Sequence, residues 1–165
     1  MKYIQSLLAA AALIAVAASC QKEMAPVIPD ENEVYGDCYI GSLKVFTYDP
    51  VQGTRLYIGD VDHDKGTCTV FLPSYTMGEK TIPVIAVTAV TMTETGDKTT
   101  FRHGKFEEDI DGTVYRFPDG ISGEAVRNEE GSMSLTMDYD IKPGKMPFAL
   151  NHHFSGRCTA PLEGN

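Results

Sequence analysis

Apolar and polar residues alternate one by one along the clearest stretch of this chain. Between Ser132 and Ile141, Met133, Leu135, Met137, Tyr139 and Ile141 fall on one face, and Ser134, Thr136, Asp138 and Asp140 on the other. A period of two marks a strand with one buried face, because successive side chains of an extended backbone point to opposite sides. Phe148, Leu150, His152 and Phe154 repeat the pattern opposite Asn151, His153 and Ser155. Near the start, Tyr39, Gly41, Leu43 and Val45 alternate less cleanly with Ile40, Ser42, Lys44 and Phe46. The stretch from Ile82 to Met92 is rich in Val, Ile and Thr and apolar on both faces. It reads as a strand covered on both sides.

Turn chemistry separates these runs. Asp62-His63-Asp64-Lys65-Gly66, Thr95-Gly96-Asp97, Asp109-Ile110-Asp111-Gly112, Pro118-Asp119-Gly120 and Glu129-Glu130-Gly131 carry the Gly, Asp and Pro of tight reversals. No helical period is convincing beyond the first twenty residues. Short strands joined by short turns predict an all-β fold, an antiparallel up-and-down β-barrel of about eight to ten strands.

The N-terminus has a different pattern. Met1-Lys2-Tyr3 gives a positive start, and the run from Ile4 to Ala18 is apolar except for Gln5 and Ser6. It ends in small residues at Ala17-Ala18-Ser19, followed by Cys20. This is the layout of a secretory signal. The cysteine makes it resemble a bacterial lipoprotein signal, which implies lipidation of Cys20 and a cut just before it. The alternatives are an ordinary secretory signal in which Cys20 is incidental, or an uncleaved anchor. The run is short against the roughly 20 residues that a spanning helix needs. Residues 1–19 are thus expected to be the signal peptide, residues 20–33 a flexible Pro-containing tether, and residues 34–165 the barrel domain. Gln21-Lys22-Glu23 resembles the Lys-acidic tag that exports some Bacteroidetes lipoproteins to the cell surface. The expected location is the outer membrane, with the domain either periplasm-facing or surface-exposed.

Charge narrows the choice of partner. The chain carries a formal net charge of -9, and binding to nucleic acid needs clustered Lys and Arg. No nucleic-acid partner is expected. The expected membrane contact is through the N-terminal lipid, and no protein partner can be named.

The strand and turn residues carry a resemblance. Tyr39-Ile40-Gly41-Ser42-Leu43 is followed by a hairpin and by Leu72-Pro73-Ser74-Tyr75-Thr76-Met77-Gly78-Glu79-Lys80-Thr81-Ile82. Further on come Asp111-Gly112-Thr113-Val114-Tyr115, Ser134 to Ile141, and Lys142-Pro143-Gly144-Lys145-Met146-Pro147-Phe148. Together these resemble the calycin-like (lipocalin-like) lipoprotein domains of Bacteroidetes. The resemblance implies a small β-barrel lipoprotein and leaves its role open. True lipocalins carry Gly-x-Trp in the first strand, whereas Gly41-Ser42-Leu43 places Leu at that position.

Candidate chemistry is sparse. With Cys20 lipidated, Cys38, Cys68 and Cys158 remain. Closure of an even-stranded barrel would bring Cys38 and Cys158 together as a disulfide. Their phases argue the other way, Cys38 running with Ile40 and Cys158 with Phe154. Cys68 runs with Val70 and Leu72 and reads as a small buried apolar residue. Asp60-Val61-Asp62-His63-Asp64-Lys65-Gly66 hints at an EF-hand loop, but Lys65 takes the glycine position and Phe71 the bidentate glutamate position. An acidic turn is the expected reading, with weak calcium binding at Asp60, Asp62 and Asp64 the alternative. His152 and His153 point to opposite faces and cannot share a metal. No metal or other cofactor is expected. Gly120-Ile121-Ser122-Gly123 lacks the spacing of a nucleophile elbow. Glu107, Glu108, Asp109 and Asp111 read as a solvated turn rather than a tuned carboxylate pair. No enzymatic activity is expected.

Two functional readings follow. In the first, the barrel holds a small apolar ligand, lined by Leu43, Val45, Phe101, His103, Met133, Leu135, Met137, Tyr139, Phe148, Leu150, His152 and Phe154. In the second, a filled barrel serves as a surface interaction module for glycan or protein, using loop aromatics such as Tyr48 and Tyr75. A cavity of some hundreds of Å3 would favour the first. A packed interior beside an exposed apolar patch would favour the second.

Overall fold

The computed structural model describes residues 23–30 and 35–158. The signal peptide, Cys20 and the last residues of the chain lie outside these. The described residues form thirteen strands and no helix: β1 (Met24–Pro26), β2 (Asp37–Val45), β3 (Val51–Asp62), β4 (Thr67–Leu72), β5 (Tyr75–Met77), β6 (Lys80–Ile82), β7 (Ile85–Thr95), β8 (Lys98–His103), β9 (Phe106–Ile110), β10 (Thr113–Phe117), β11 (Ile121–Arg127), β12 (Met133–Pro143) and β13 (Leu150–Cys158).

Eight of them close into a barrel. The ladder runs β11-β8-β7-β4-β3-β2-β13-β12, and β12 pairs back to β11. Every pairing in it is antiparallel. Apart from the closing pair β2–β13, neighbours in space are neighbours in sequence except at two places. Between β4 and β7 the chain makes the β5–β6 hairpin, which β1 joins as a third strand. Between β8 and β11 it makes the β9–β10 hairpin, and β10 pairs with the far end of β12 at Lys142 and Pro143. The up-and-down order is therefore interrupted by two excursions, both at the same end of the barrel.

Alternation decides what goes inside. Tyr39, Leu43 and Val45 of β2 are buried, as are Leu135, Met137, Tyr139 and Ile141 of β12 and Leu150, His152 and Phe154 of β13. Strand β7 departs from the sequence expectation. Its outer face is exposed rather than covered, and a bulge between Val87 and Val90 puts both of these inward. Ala89 takes a left-handed backbone there, with φ of 54°. The extra residue shifts the alternation and makes the strand read as apolar on both faces.

Three further expectations are corrected. Phe148 precedes β13 in a bend and is exposed, because the chain is still crossing from β12 when it passes that residue. Met24–Pro26, expected within the flexible tether, pairs with Tyr75–Met77. Tyr75, expected in an exposed loop, is fully buried, since β5 folds in over the end of the barrel.

Closure requires close approach at one seam. Gly41 of β2 lies opposite Gly156 of β13, and β2 carries a bulge just after it. A Cβ on Gly41 would sit 2.0 Å from the Ser155 carbonyl oxygen. Glycine here lets the strand bend around the barrel corner. Gly41→Val is expected to cost about 3 kcal/mol of stability through overpacking. Gly104→Ala, where an added Cβ meets nothing within 4 Å, should be close to neutral. Urea unfolding of the two variants checks this; equal losses would show that the seam has room to spare.

Candidate functional site

The two ends of the barrel differ. At one, the β5–β6 and β9–β10 excursions fold over the strand ends. Tyr75 of β5, Ile82 of β6, and Tyr115 and Phe117 of β10 are all buried there. Phe117 stacks on Phe106 of β9 at 3.8 Å between ring centroids, nearly parallel. His103, expected to line the interior, lies at the end of β8 and is only half-buried. Its ring packs edge-on against Phe106, and its Nδ1 lies 2.9 Å from the Gly104 carbonyl oxygen.

Beneath this plug lies a polar cluster in an otherwise apolar interior. His152 Nδ1 lies 2.8 Å from the Leu150 carbonyl oxygen, so it carries the proton and donates. Nε2 then accepts from the Tyr75 hydroxyl at 2.6 Å. Tyr139 stacks on the His152 ring at 4.7 Å, and its own buried hydroxyl has no hydrogen-bond partner. Burial pushes the His152 pKa down to about 4, partly offset by the bond to Leu150. Burial also raises the pKa of Tyr75 and Tyr139. All three are neutral at physiological pH. The arrangement latches β5 to β13.

The middle of the barrel is filled. Leu43, Leu56, Leu135, Met137 and Phe154 are fully buried. Gly123 makes room for Met137 and Gly156 for Phe154, since a Cβ at either would fall within 2.6 Å of the neighbouring side chain. Leu43, Val45, Leu135, Met137, Tyr139, Leu150, His152 and Phe154 therefore pack as core beneath the plug and through the middle.

The other end is open. Here β2 begins and tight turns join β3 to β4, β7 to β8 and β11 to β12. A cavity of about 510 Å3 enters the barrel from this side. Tyr39, Ile58, Met92, Phe101, Ala125 and Met133 give it apolar walls, while Asp37, Asp60, Glu94, Thr99 and Arg127 bring polar groups. Of the residues expected to line the barrel, only Phe101 and Met133 reach it, and Asp60, weighed in the sequence as a calcium ligand, lies at its rim. The others were legible only as strand ends, because nothing in their spacing says that one mouth is plugged. His63 also lines the cavity, with Nδ1 3.7 Å from Glu94 Oε1. Burial raises the pKa of the Tyr39 hydroxyl, and the nearby Arg127 guanidinium partly counters this. The site can hold an apolar body against its walls and orient a polar group at its rim.

The cysteines and acids also find their places. Cys38, Cys68 and Cys158 carry thiols, and no disulfide joins the described residues. Cys38 runs with exposed Ile40 on the outer face, whereas Cys158 is buried inward with Phe154, so the proposed bridge would have to pass through the sheet. Burial pushes the Cys68 thiol up to about 11. Among the described residues, no three His, Cys, Asp or Glu side chains gather as a metal set. Asp62 instead accepts from the Lys65 backbone amide within its own turn.

The fold and its ends define a closed, antiparallel, eight-stranded barrel with one plugged and one open mouth. It is similar in fold to a "putative outer membrane protein" of Bacteroides fragilis, with a TM-score of 0.54 and 16% sequence identity. The match covers 74% of this chain and 48% of that one, so the chain spans about half the length of that protein. No family model matches the chain, and no curated protein does.

Two outcomes follow from this geometry. The folded His152 holds its proton less tightly than a solvated histidine, so the unfolded chain takes up protons first as pH falls. Stability is fully present above about pH 6.5 and declines toward pH 4, by about 3 kcal/mol in all. Urea melts of the wild type and His152→Gln should diverge over that window; parallel curves would show that His152 is not held neutral. Iodoacetamide should label Cys38 in the folded protein, and Cys68 and Cys158 only after denaturation. Prompt labelling of Cys68 would mean that the barrel opens.

Proposed function

We propose that this chain is an envelope lipoprotein whose calycin-like barrel takes a small, mainly apolar ligand into its open mouth. The cavity of about 510 Å3 carries this reading. Its size lies within the roughly 300–1,000 Å3 of small-molecule sites, and its apolar walls with a few polar groups match their usual make-up. The acidic rim of Asp37, Asp60 and Glu94, set against one arginine, favours a ligand with a neutral or cationic head. Lipidation at Cys20 would tether the domain to the outer membrane, facing the periplasm or the cell surface. The likeness in fold to a "putative outer membrane protein" of Bacteroides fragilis is in keeping with that location. No catalytic role is part of the proposal.

A second reading has its own support. Below the cavity the barrel is filled, and an exposed aromatic pair, Phe46 with Phe148, marks its outer surface. These are the marks of an interaction module for protein or glycan.

Native mass spectrometry of the protein from its own envelope separates the two. The carrier predicts a reproducible extra mass that leaves on organic extraction. A bare mass, unchanged after incubation with envelope lipid extract, favours the module. Thr99→Phe and Ala125→Phe, which fill the mouth, should weaken binding of the neutral probe N-phenyl-1-naphthylamine by about tenfold, or about 1.4 kcal/mol. Unchanged binding in both would remove the mouth as the site.

A further inference from the structure

The exposed aromatic pair lies at the plugged end, beside the place where the described chain begins. Phe46 and Phe148 are 47% and 52% exposed, and their rings stack at 5.8 Å. Phe46 adopts a left-handed backbone with φ of 48°, which is rare for a bulky side chain. The conformation is pinned by its own amide, which donates to the Asn151 carbonyl at 2.7 Å, and by the Tyr48 amide donating to Val45. The β2–β3 turn therefore holds an aromatic ring in solvent in a strained conformation, directly after buried Val45.

The chain leads to this place from upstream. Glu23 and Met24 line a cleft with Thr47 and Tyr48 of the same turn and with Val51 at the start of β3. Cys20 is three residues before Glu23, a reach of at most about 11 Å. An acyl group on Cys20 would enter the bilayer close to the plugged end. The open mouth lies at the other end of the barrel.

We infer that Phe46 and Phe148 form a bilayer-contacting wedge that seats the plugged end on the membrane and turns the open mouth away from it. The inference rests on the reading of Cys20 as the lipid anchor. Aromatic and apolar side chains partition favourably at the headgroup boundary, and a lipid on Cys20 fixes one point of the chain without fixing the tilt of the domain, so a second contact orients it. The wedge needs no anionic lipid, in keeping with the acidic charge of the chain.

The chain has no Trp, so a single introduced Trp reports its own surroundings. Full-length Phe46→Trp, Phe148→Trp and Val126→Trp would be purified from an export-competent host and weighed intact. Each would then be placed in phosphatidylcholine vesicles with brominated acyl chains. Val126 is exposed on β11 near the open end and serves as the distant reporter. The expected result is an acylated mass, a blue shift and loss of most emission for the two wedge positions, and little change at Val126. An unacylated mass would overturn the anchor reading and the wedge with it. An acylated mass with equal quenching at all three positions, or stronger quenching at Val126, would overturn the wedge alone. A blue shift at position 148 that grows with protein concentration in detergent, without quenching in vesicles, would assign the pair to a second copy and also overturn it.

Discussion

Closure of the barrel rests on the ladder between β2 and β13, in which Leu43 sits opposite Phe154 and Gly41 opposite Gly156. Without it the eight strands would form an open sheet with two unpaired edges, each exposing backbone amides and carbonyls. With it, every strand has two neighbours and the alternating apolar residues share one interior. The inward faces of β2 and β13 then supply the centre of the core. The glycine pair is the local condition, because any side chain at Gly41 would collide with the opposite backbone. Salt bridges on the outer face, such as Lys98 with Glu124, are exposed and add little by comparison.

A closed barrel of this size has room for side chains or for one small ligand, and this chain divides that choice along its axis. Toward one end the space is filled by Met137, Phe154 and their neighbours and sealed by two hairpins. Toward the other it stays open and acquires charged groups. The buried trio of Tyr75, His152 and Tyr139 belongs to the sealed half. It fastens a three-residue strand that has little apolar surface of its own, through a hydrogen bond in which the neutral imidazole accepts from the Tyr75 hydroxyl. The open half carries its cavity at the mouth, away from that latch.

The barrel strands were legible because a period of two is written plainly in Met133–Ile141 and Leu150–Phe154. Their pairing into an up-and-down order followed from the short turns between them. The excursions were not legible. Strands β1, β5 and β6 are three residues each, too short to show a period, and the apolar run from Ile82 to Met92 hides the break between β6 and β7 at Pro83. The bulge at Ala89 hid the exposed face of β7 by shifting its phase. Phe148 matches the phase of β13 although it precedes that strand, so its exposure is hidden in the sequence. Phe101 and Met133 were seen as inward-facing, but the acids and the arginine around them are ordinary strand-end residues. They become a site only when one mouth is left open.

The seam between β2 and β13 also sets the order in which the barrel can be completed. Strand β2 is near the start of the domain and β13 ends the described chain, so their contacts join distant parts of the sequence. Such contacts are slow to form, because the loop entropy is lost before the ladder compensates for it. The hairpins β3–β4, β7–β8 and β12–β13 can assemble locally and early. Until the last strand arrives, β2 remains an open edge with exposed Ile40 beside it, vulnerable to pairing with another chain. For a protein made from its N-terminus onward, the time spent with that edge unpaired governs how much of it reaches the closed state.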